Sequence, residues 1–217
     1  MTEEMSMAIG NEATPTRVDR RKAATRAALI GAAQKLLAEG RQNVPVLEIT
    51  TAADVGMGSF YNHFSSKEEL FEAAVLAALD AHGAMMDAYC ADLDDPAEAF
   101  TQSFRLTGRM HRRLPELSLA ILRAGGGLAY AERGLAERAR RDIGAAAAAG
   151  RFDVADLDVA MIGVVGSVVA LGQFLHDHPD RDDAVITDAV TRTLLRGFGM
   201  SAADAEQLCD RSLPDPA

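Results

Sequence analysis

The segment from Glu48 to Leu70, EITTAADVGMGSFYNHFSSKEEL, decides the fold. Just ahead of it Pro45 suits the first position of a short helix, with Asn43 or Val44 near the cap, and Val46, Ile49, Ala52 and Ala53 supply an apolar face. Asp54, Val55 and Gly56 interrupt that pattern. It resumes from Gly58 to Phe64, with Phe60, Tyr61 and Phe64 at i, i+1 and i+4. Two short helices around a tight turn make a helix-turn-helix. Ser66-Lys67-Glu68-Glu69 then predicts a capping box that opens a long helix, with Leu70, Phe71, Ala74, Val75, Ala78 and Leu79 on its buried side.

Toward the N-terminus, Leu29, Ile30, Ala33, Leu36 and Leu37 recur at helical spacing and Gly40 supplies a stop, which predicts a first helix from about Asp19 to Glu39. Residues 1–16 lack sustained periodicity and read as a flexible arm. Beyond Asp94-Asp95-Pro96 the expected helices are Ala97–Arg113, Glu116–Ala124, Ala129–Ala149, Ala155–Leu175, Asp183–Phe198 and Ser201–Arg211. The breakers between them are Pro115, Gly125-Gly126-Gly127, Gly150, Pro179 and Gly199, and no strand-period run appears. With 48% hydrophobic residues, abundant Ala and no Trp, the chain reads as all-α. A three-helix domain over residues 17–66 precedes a larger helical domain over residues 67–217.

The net charge of -10 argues at first against nucleic acid, because phosphate binding requires Lys and Arg. The distribution matters more than the total and leaves a modest basic patch on an acidic protein. Between Arg17 and Leu47 seven basic residues face only Asp19 and Glu39, whereas from residue 73 onward acids outnumber bases 22 to 14. Cys90 and Cys209 are too few and too far apart for a disulfide framework or a zinc site, and the acidic start carries no secretory signal, so a cytoplasmic protein is expected. Val159 to Leu175 holds no charge and approaches the length of a bilayer span. Its acidic flanks and its glycines instead predict a helix buried on all sides, with no membrane partner.

The Glu48–Leu70 segment resembles the DNA-binding signature of the TetR family. A short helix ending in Ala, a small turn, Gly58-Ser59-Phe60-Tyr61-Asn62-His63-Phe64 and the Ser66-Lys67-Glu68-Glu69-Leu70 entry to a fourth helix follow its pattern, and the likeness covers roughly Asp19 to Val75. Four positions depart from it. Asp54 stands where the family usually has Gly, although Asp tolerates a left-handed turn. Gly56 and Met57 replace common Ser and Lys or Pro, and Val44 replaces a Thr or Ser cap. The resemblance implies a dimeric transcriptional regulator, most simply a repressor, that grips a palindromic operator in double-stranded DNA and answers a small-molecule effector.

The residues themselves fit such a role. A recognition helix buries one face and keeps the other polar and free of acid, and Gly58 to Phe64 contains no carboxylate. Gly58 permits close backbone approach, while Ser59, Asn62 and His63 offer hydrogen-bonding groups to bases or phosphates. By resemblance, Tyr61 places its hydroxyl on a phosphate and Lys67 adds a charge at the start of the fourth helix. Phe60 and Phe64 read as core anchors. The run Arg20-Arg21-Lys22 reads equally as a solvated helix start or as a phosphate or minor-groove contact.

In the C-terminal body, Gly163, Gly166 and Ala170 on one helix and Val190, Leu194 and Phe198 on another suggest a dimer interface built as a four-helix bundle, with intrachain burial as the alternative. Candidates for a pocket holding a small apolar effector are Met85, Met86, Tyr89, Phe100, Phe104, Met110, His111, Leu122, Tyr130 and Phe174, although apolar residues at helical spacing also serve as plain core. The fourth helix, running from Lys67 through Met85, Met86 and Tyr89, would link such a pocket to the DNA. His176-Asp177-His178 reads as a solvated loop rather than a metal site, and no cofactor is expected. An all-helical enzyme and a DNA-binding module without a ligand remain as alternatives, but no nucleophile-base pair or cofactor fingerprint supports an enzyme.

Overall fold

A computed structural model describes residues 16–124 and 135–214. Among the described residues the chain forms helices and no strands: α1 (Arg17–Ala38), α2 (Val46–Ala52), α3 (Met57–Phe60), α4 (Lys67–Cys90), α5 (Pro96–Arg113), α6 (Pro115–Ala124), α7 (Leu135–Ala148), α8 (Leu157–Asp177), α9 (Asp183–Gly197) and α10 (Ala202–Cys209). The expected start of a helix at Ala129, the glycine run Gly125–Gly127 and Tyr130 lie outside the described residues. The architecture is the expected all-α one, a small helix-turn-helix unit joined to a larger helical body.

Local signals explain where these helices begin and end. α1 starts two residues ahead of Asp19, and Thr16 belongs to its cap instead of to an arm. The Thr16 hydroxyl accepts the Asp19 N–H at 3.2 Å, while the Asp19 carboxylate accepts the Thr16 N–H at 3.0 Å and its hydroxyl at 2.7 Å. Four helices end alike, with the residue after the cap left-handed: Gly40 (φ 69), Gly150 (φ 68), Gly199 (φ 83) and, uniquely without glycine, Asp54 (φ 53). At the helix-turn-helix turn the Asp54 N–H bonds to Thr51 O at 3.2 Å and the Val55 N–H to Thr50 O at 3.0 Å, so these two carbonyls near the end of α2 are satisfied and the chain reverses toward α3.

Around the recognition helix two details also differ from expectation. α3 closes at Phe60, with a turn completing it: His63 and Phe64 both donate to Phe60 O, at 2.9 and 3.0 Å. At the head of α4 the capping box is only half made. The Ser66 hydroxyl accepts the Glu69 N–H at 3.2 Å, but the Glu69 carboxylate accepts from the N–H and hydroxyl of Ser65, at 2.7 and 2.6 Å. Ser65 offers two donors where Ser66 would offer one.

Two apolar clusters fill the molecule. The first joins Leu29, Leu36 and Leu37 of α1, Ile49 of α2, Phe60 and Phe64 to Leu70, Phe71, Ala74 and Val75 of α4, then continues through Leu79 to Met110 of α5 and Ile121 of α6. A division at residue 66 therefore separates the chain in sequence but cuts through one core. The second cluster packs Phe100 and Phe104 of α5 with Ile143, Phe152, Met161, Val164, Leu195 and Phe198. The Phe100, Phe152 and Phe198 rings meet there at centroid distances of 5.0 to 5.8 Å.

α8 departs from the expectation of burial on all sides. It is long and apolar enough to cross a membrane by length and composition alone, yet Ala160, Met161, Val164, Val165, Leu171, Gly172 and Leu175 are buried in the body. The opposite stripe, Val159, Ile162, Gly163, Gly166, Ala170 and Gln173, is exposed. Gln173 is the one polar residue of that stripe, and the rest are apolar or glycine, so the sequence gives little sign of an outer face.

Candidate DNA-binding surface and ligand cavity

Phe60 and Phe64 anchor α3 and its following turn, being 0% and 2% exposed. The Arg26 guanidinium covers the Phe64 ring at 5.1 Å. With that side fixed, Tyr61 projects outward, 62% exposed, its ring edge-on to Phe60 at 5.1 Å. Asn62 and Gly58 are exposed beside it, and Ser59 and His63 are half-buried. A Cβ on Gly58 would meet nothing within 4 Å, so intrachain packing does not demand glycine there. Arg20, Arg21 and Lys22 are exposed on the first turns of α1, and their side chains make no hydrogen bond or salt bridge among the described residues. Lys67 is differently placed: its Nζ donates to Asn43 Oδ1 at 3.0 Å, which ties the head of α4 to the α1–α2 loop. Arg41 is occupied by Glu39 and Glu48 and adds no free charge. Leu47 and Met57, 59% and 46% exposed, were outside the candidate set because apolar residues read as core.

A cavity of ≈ 110 Å³ lies inside the body among α4, α5, α6, α7 and α8. That is on the scale of a cavity that holds one small aromatic ring. Of the ten pocket candidates, Met86, Phe100, Phe104, Met110 and His111 line it. Met85, Tyr89, Leu122 and Phe174 do not: Met85 and Tyr89 occupy the neighbouring stripe of α4, and Phe174 stacks on His178 at 4.3 Å beneath Arg181. The remaining walls include Leu76, Leu79, Met161, Val164, Val165 and Val168.

One end of the cavity is charged, which the apolar search missed. Asp80, Asp87, Arg138 and Asp142 line it. Asp87 of α4 accepts from Arg138 Nε at 2.6 Å and from Arg141 at 2.7 Å, and Arg141 Nε also reaches Asp142 at 2.9 Å. Burial opposes ionisation of Asp87, but the two guanidinium hydrogen bonds outweigh it and hold the carboxyl below its ordinary value. For Asp142 burial dominates and pushes the carboxyl up in spite of Arg141. The usable signal was positional. Leu76, Leu79, Asp80, Gly83, Met86 and Asp87 fall on one helical stripe, and an acid that such a stripe carries into the body, as Asp87 is, needs polar company there.

The other wall holds a buried hydrogen-bond chain. His111 Nε2 lies 3.1 Å from Val168 O, and since a carbonyl only accepts, that nitrogen carries the proton. Nδ1 then accepts from the Ser118 hydroxyl at 2.7 Å, and Ser118 Oγ in turn accepts from His176 Nε2 at 2.9 Å. His176 is thereby drawn inward from the loop expected for it, and α8 runs on to Asp177. Nearby, His82 Nε2 meets Thr107 Oγ1 at 3.3 Å.

At the proposed interface, Gly163, Gly166 and Ala170 are exposed, whereas Val190 and Leu194 are half-buried against the second core. Phe198 is a correction. It is 6% exposed and packed on Phe100 and Phe152 of its own chain, because the left-handed turn at Gly199 folds the end of α9 over the body. Among the described residues no group of three or more potential metal ligands converges.

Residues 29–74 match the family model for bacterial regulatory proteins of the tetR family, and residues 95–211 match the tetracyclin repressor-like C-terminal domain. The chain belongs to the TetR family and is a DNA-binding transcriptional regulator. Among solved structures it is similar to RolR in complex with resorcinol, at 34% identity over 90% of this chain and 98% of that one, with a TM-score of 0.76. RolR without ligand matches at 34% identity over 87% and 98%, with a TM-score of 0.74. FadR from Bacillus subtilis in complex with stearoyl-CoA shares the fold at 14% identity, over 79% of this chain and 98% of that one, with a TM-score of 0.62. Comparison with curated proteins gave no match.

The buried imidazoles impose a pH dependence. Burial lowers the pKa of both His82 and His111 to about 4, against an ordinary 6.5, so between these values the unfolded chain binds more protons than the folded one. Their contribution is complete above pH 6.5 and is lost as the pH falls toward 4, on the order of 3 kcal/mol for each imidazole across that interval. Urea unfolding at pH 7 and pH 5 is expected to show this loss, and His82→Gln and His111→Gln should each flatten it; equal midpoints at the two pH values for the parent chain would contradict the assignment.

Proposed function

We propose that the protein is a homodimeric cytoplasmic repressor, bound to a palindromic operator through its paired α3 helices and released by a small hydroxylated aromatic of the resorcinol class. The observation that carries this reading is the cavity: a space for one ring, apolar on most sides, with Asp80, Asp87, Arg138 and Asp142 at one end. Apolar walls accept the ring and the carboxylate–guanidinium end exchanges hydrogen bonds with hydroxyl groups. RolR, 34% identical, was crystallised with such a molecule. The expectation of a purely apolar effector is thereby refined.

The dimer reading rests on the outer stripe of α8. Gly163 and Gly166 have open space where a Cβ would stand, so their own chain gains nothing from glycine. Each costs about 1 kcal/mol of helix stability relative to Ala. Close approach of a second copy at Gly163, Gly166 and Ala170, with Val159, Ile162 and Val185 around them, gives that cost a use. One short recognition helix reads too few bases for genomic specificity, and two-fold pairing supplies a second half-site. A binding role is favoured over catalysis because Ser118, although set between two imidazoles, is 0% exposed and does not line the cavity.

A footprint on DNA upstream of the protein's own coding region, dissolved by resorcinol, is the direct test; a footprint indifferent to resorcinol and to related phenols rejects the effector class. On the operator, Tyr61→Phe should weaken binding to all sequences and Lys67→Ala should lower the salt slope by about one, whereas Asn62→Ala should relax sequence preference. Gly166→Leu should raise the dimer dissociation constant in sedimentation, and a parent chain that sediments as a monomer on a single half-site would overturn the pairing. Calorimetry of resorcinol with and without operator should give affinities differing by the same factor by which resorcinol weakens operator binding, roughly 150-fold for a coupling of about 3 kcal/mol.

A further inference from the structure

Gly83 sits in the middle of α4, buried, and on the stripe that faces the cavity. Glycine is among the poorest residues for a helix interior, and its φ here is helical, so no turn requires it. Space requires it. A Cβ at this position would lie 2.5 Å from one terminal nitrogen of Arg138, 2.8 Å from its Cζ and 3.0 Å from its Cδ. The guanidinium therefore rests directly on the α4 backbone, with Nε turned to Asp87 one helical turn further along. Asp87 is held in place by Arg141, which also binds Asp142, so Arg138 can move away from a Cβ at position 83 only by giving up its Nε bond to Asp87.

We propose that Gly83 is a specificity-determining residue: its bare Cα admits the Arg138 guanidinium to the charged end of the cavity and thereby sets the preference for a hydroxylated aromatic over a plain one. The inference rests on the proposed reading of the cavity as the effector site. Gly83 touches no effector itself; it is a positioning residue that acts through Arg138. A methyl group at position 83 displaces the guanidinium, breaks its bond to Asp87 and partly fills the space beside it, so that the cavity loses the guanidinium donor to a hydroxyl oxygen while the carboxylates of Asp87 and Asp142 remain.

The test is a double-mutant cycle of Gly83→Ala and Arg138→Ala in the full chain. Its readouts are resorcinol and benzene affinity by calorimetry, heat unfolding, and the Arg138 Nε–H resonance by NMR. Gly83→Ala should weaken resorcinol binding about tenfold or more, the scale expected for a lost charge-assisted hydrogen bond, with benzene affinity held or improved. In the Arg138→Ala background the same change should cost nothing further in resorcinol affinity, and it should raise the melting temperature through the better helix former. Undiminished resorcinol affinity in Gly83→Ala, or full additivity of the two substitutions, overturns the proposal. Should the single variant fail to fold, the Arg138→Ala pair still decides it. If the parent chain binds no resorcinol, the effector class is wrong, and the Nε–H resonance then judges Gly83: a shift or loss in Gly83→Ala sustains its control of Arg138, and an unchanged resonance refutes it.

Discussion

Leu70, Phe71, Ala74 and Val75 close the core beneath the recognition helix, and within four further turns of the same α4 rod Leu79, Met86 and Asp87 wall the cavity. The helix is about 36 Å long at 1.5 Å per residue, and it has no break along its 24 residues. A close-packed interior does not deform smoothly, so a change in how one end of this rod seats must be met at the other by a shift in the packing of α1 and α3. The first apolar cluster reinforces the link, because it passes from the helix-turn-helix through α4 to Met110 and Ile121 without interruption. Sensing and DNA binding thus share a core as well as a chain.

The charged end of the cavity gives that rod a reason to move. Asp87 is the one acidic side chain through which α4 holds both Arg138 and Arg141 of α7, and it is partly shielded from water. Hydroxyl groups entering the cavity would compete for the same donors and acceptors. If the cavity is the effector site proposed above, recognition and transmission fall on the same atoms, and the energy available for transmission is bounded by how much better those atoms are satisfied in one seating of α4 than in the other.

Much of the fold was legible because its signals are local. Ser66, Asp95-Pro96 and the glycines at 40, 150 and 199 announce their helix ends in one or two residues, whereas Asp156 and Ser201, expected inside helices, turn out to cap them. Even Asp54 could be placed in a left-handed turn from its short polar side chain. The helix-turn-helix was readable for the same reason: the motif is contiguous, and the two buried Phe side chains leave Tyr61 and Asn62 exposed. The cavity was only half readable. It is assembled from five helices, and apolar residues at helical spacing give no sign of whether they meet each other or an empty space. Met85 and Tyr89 lie beside the right stripe, and Phe198 was claimed by its own chain through a turn whose consequence is tertiary. The acids on the stripe of α4 held the missing information, since they mark where an apolar face must accommodate charge.

The exposed basic side chains at the start of α1 form a local positive patch, whereas the chain from residue 73 onward carries 22 acids against 14 bases. Such a separation contributes a dipole component directed from the acidic body toward that patch. In the field of a nucleic acid it exerts a torque before any contact forms, turning the basic end inward and holding the acidic body away. Productive encounters are thereby enriched over random collisions, and the misoriented ones, body against phosphate, are repelled. The aligning torque decays over the Debye length, about 8 Å at physiological ionic strength, so added salt disorders the approach as well as weakening the final grip.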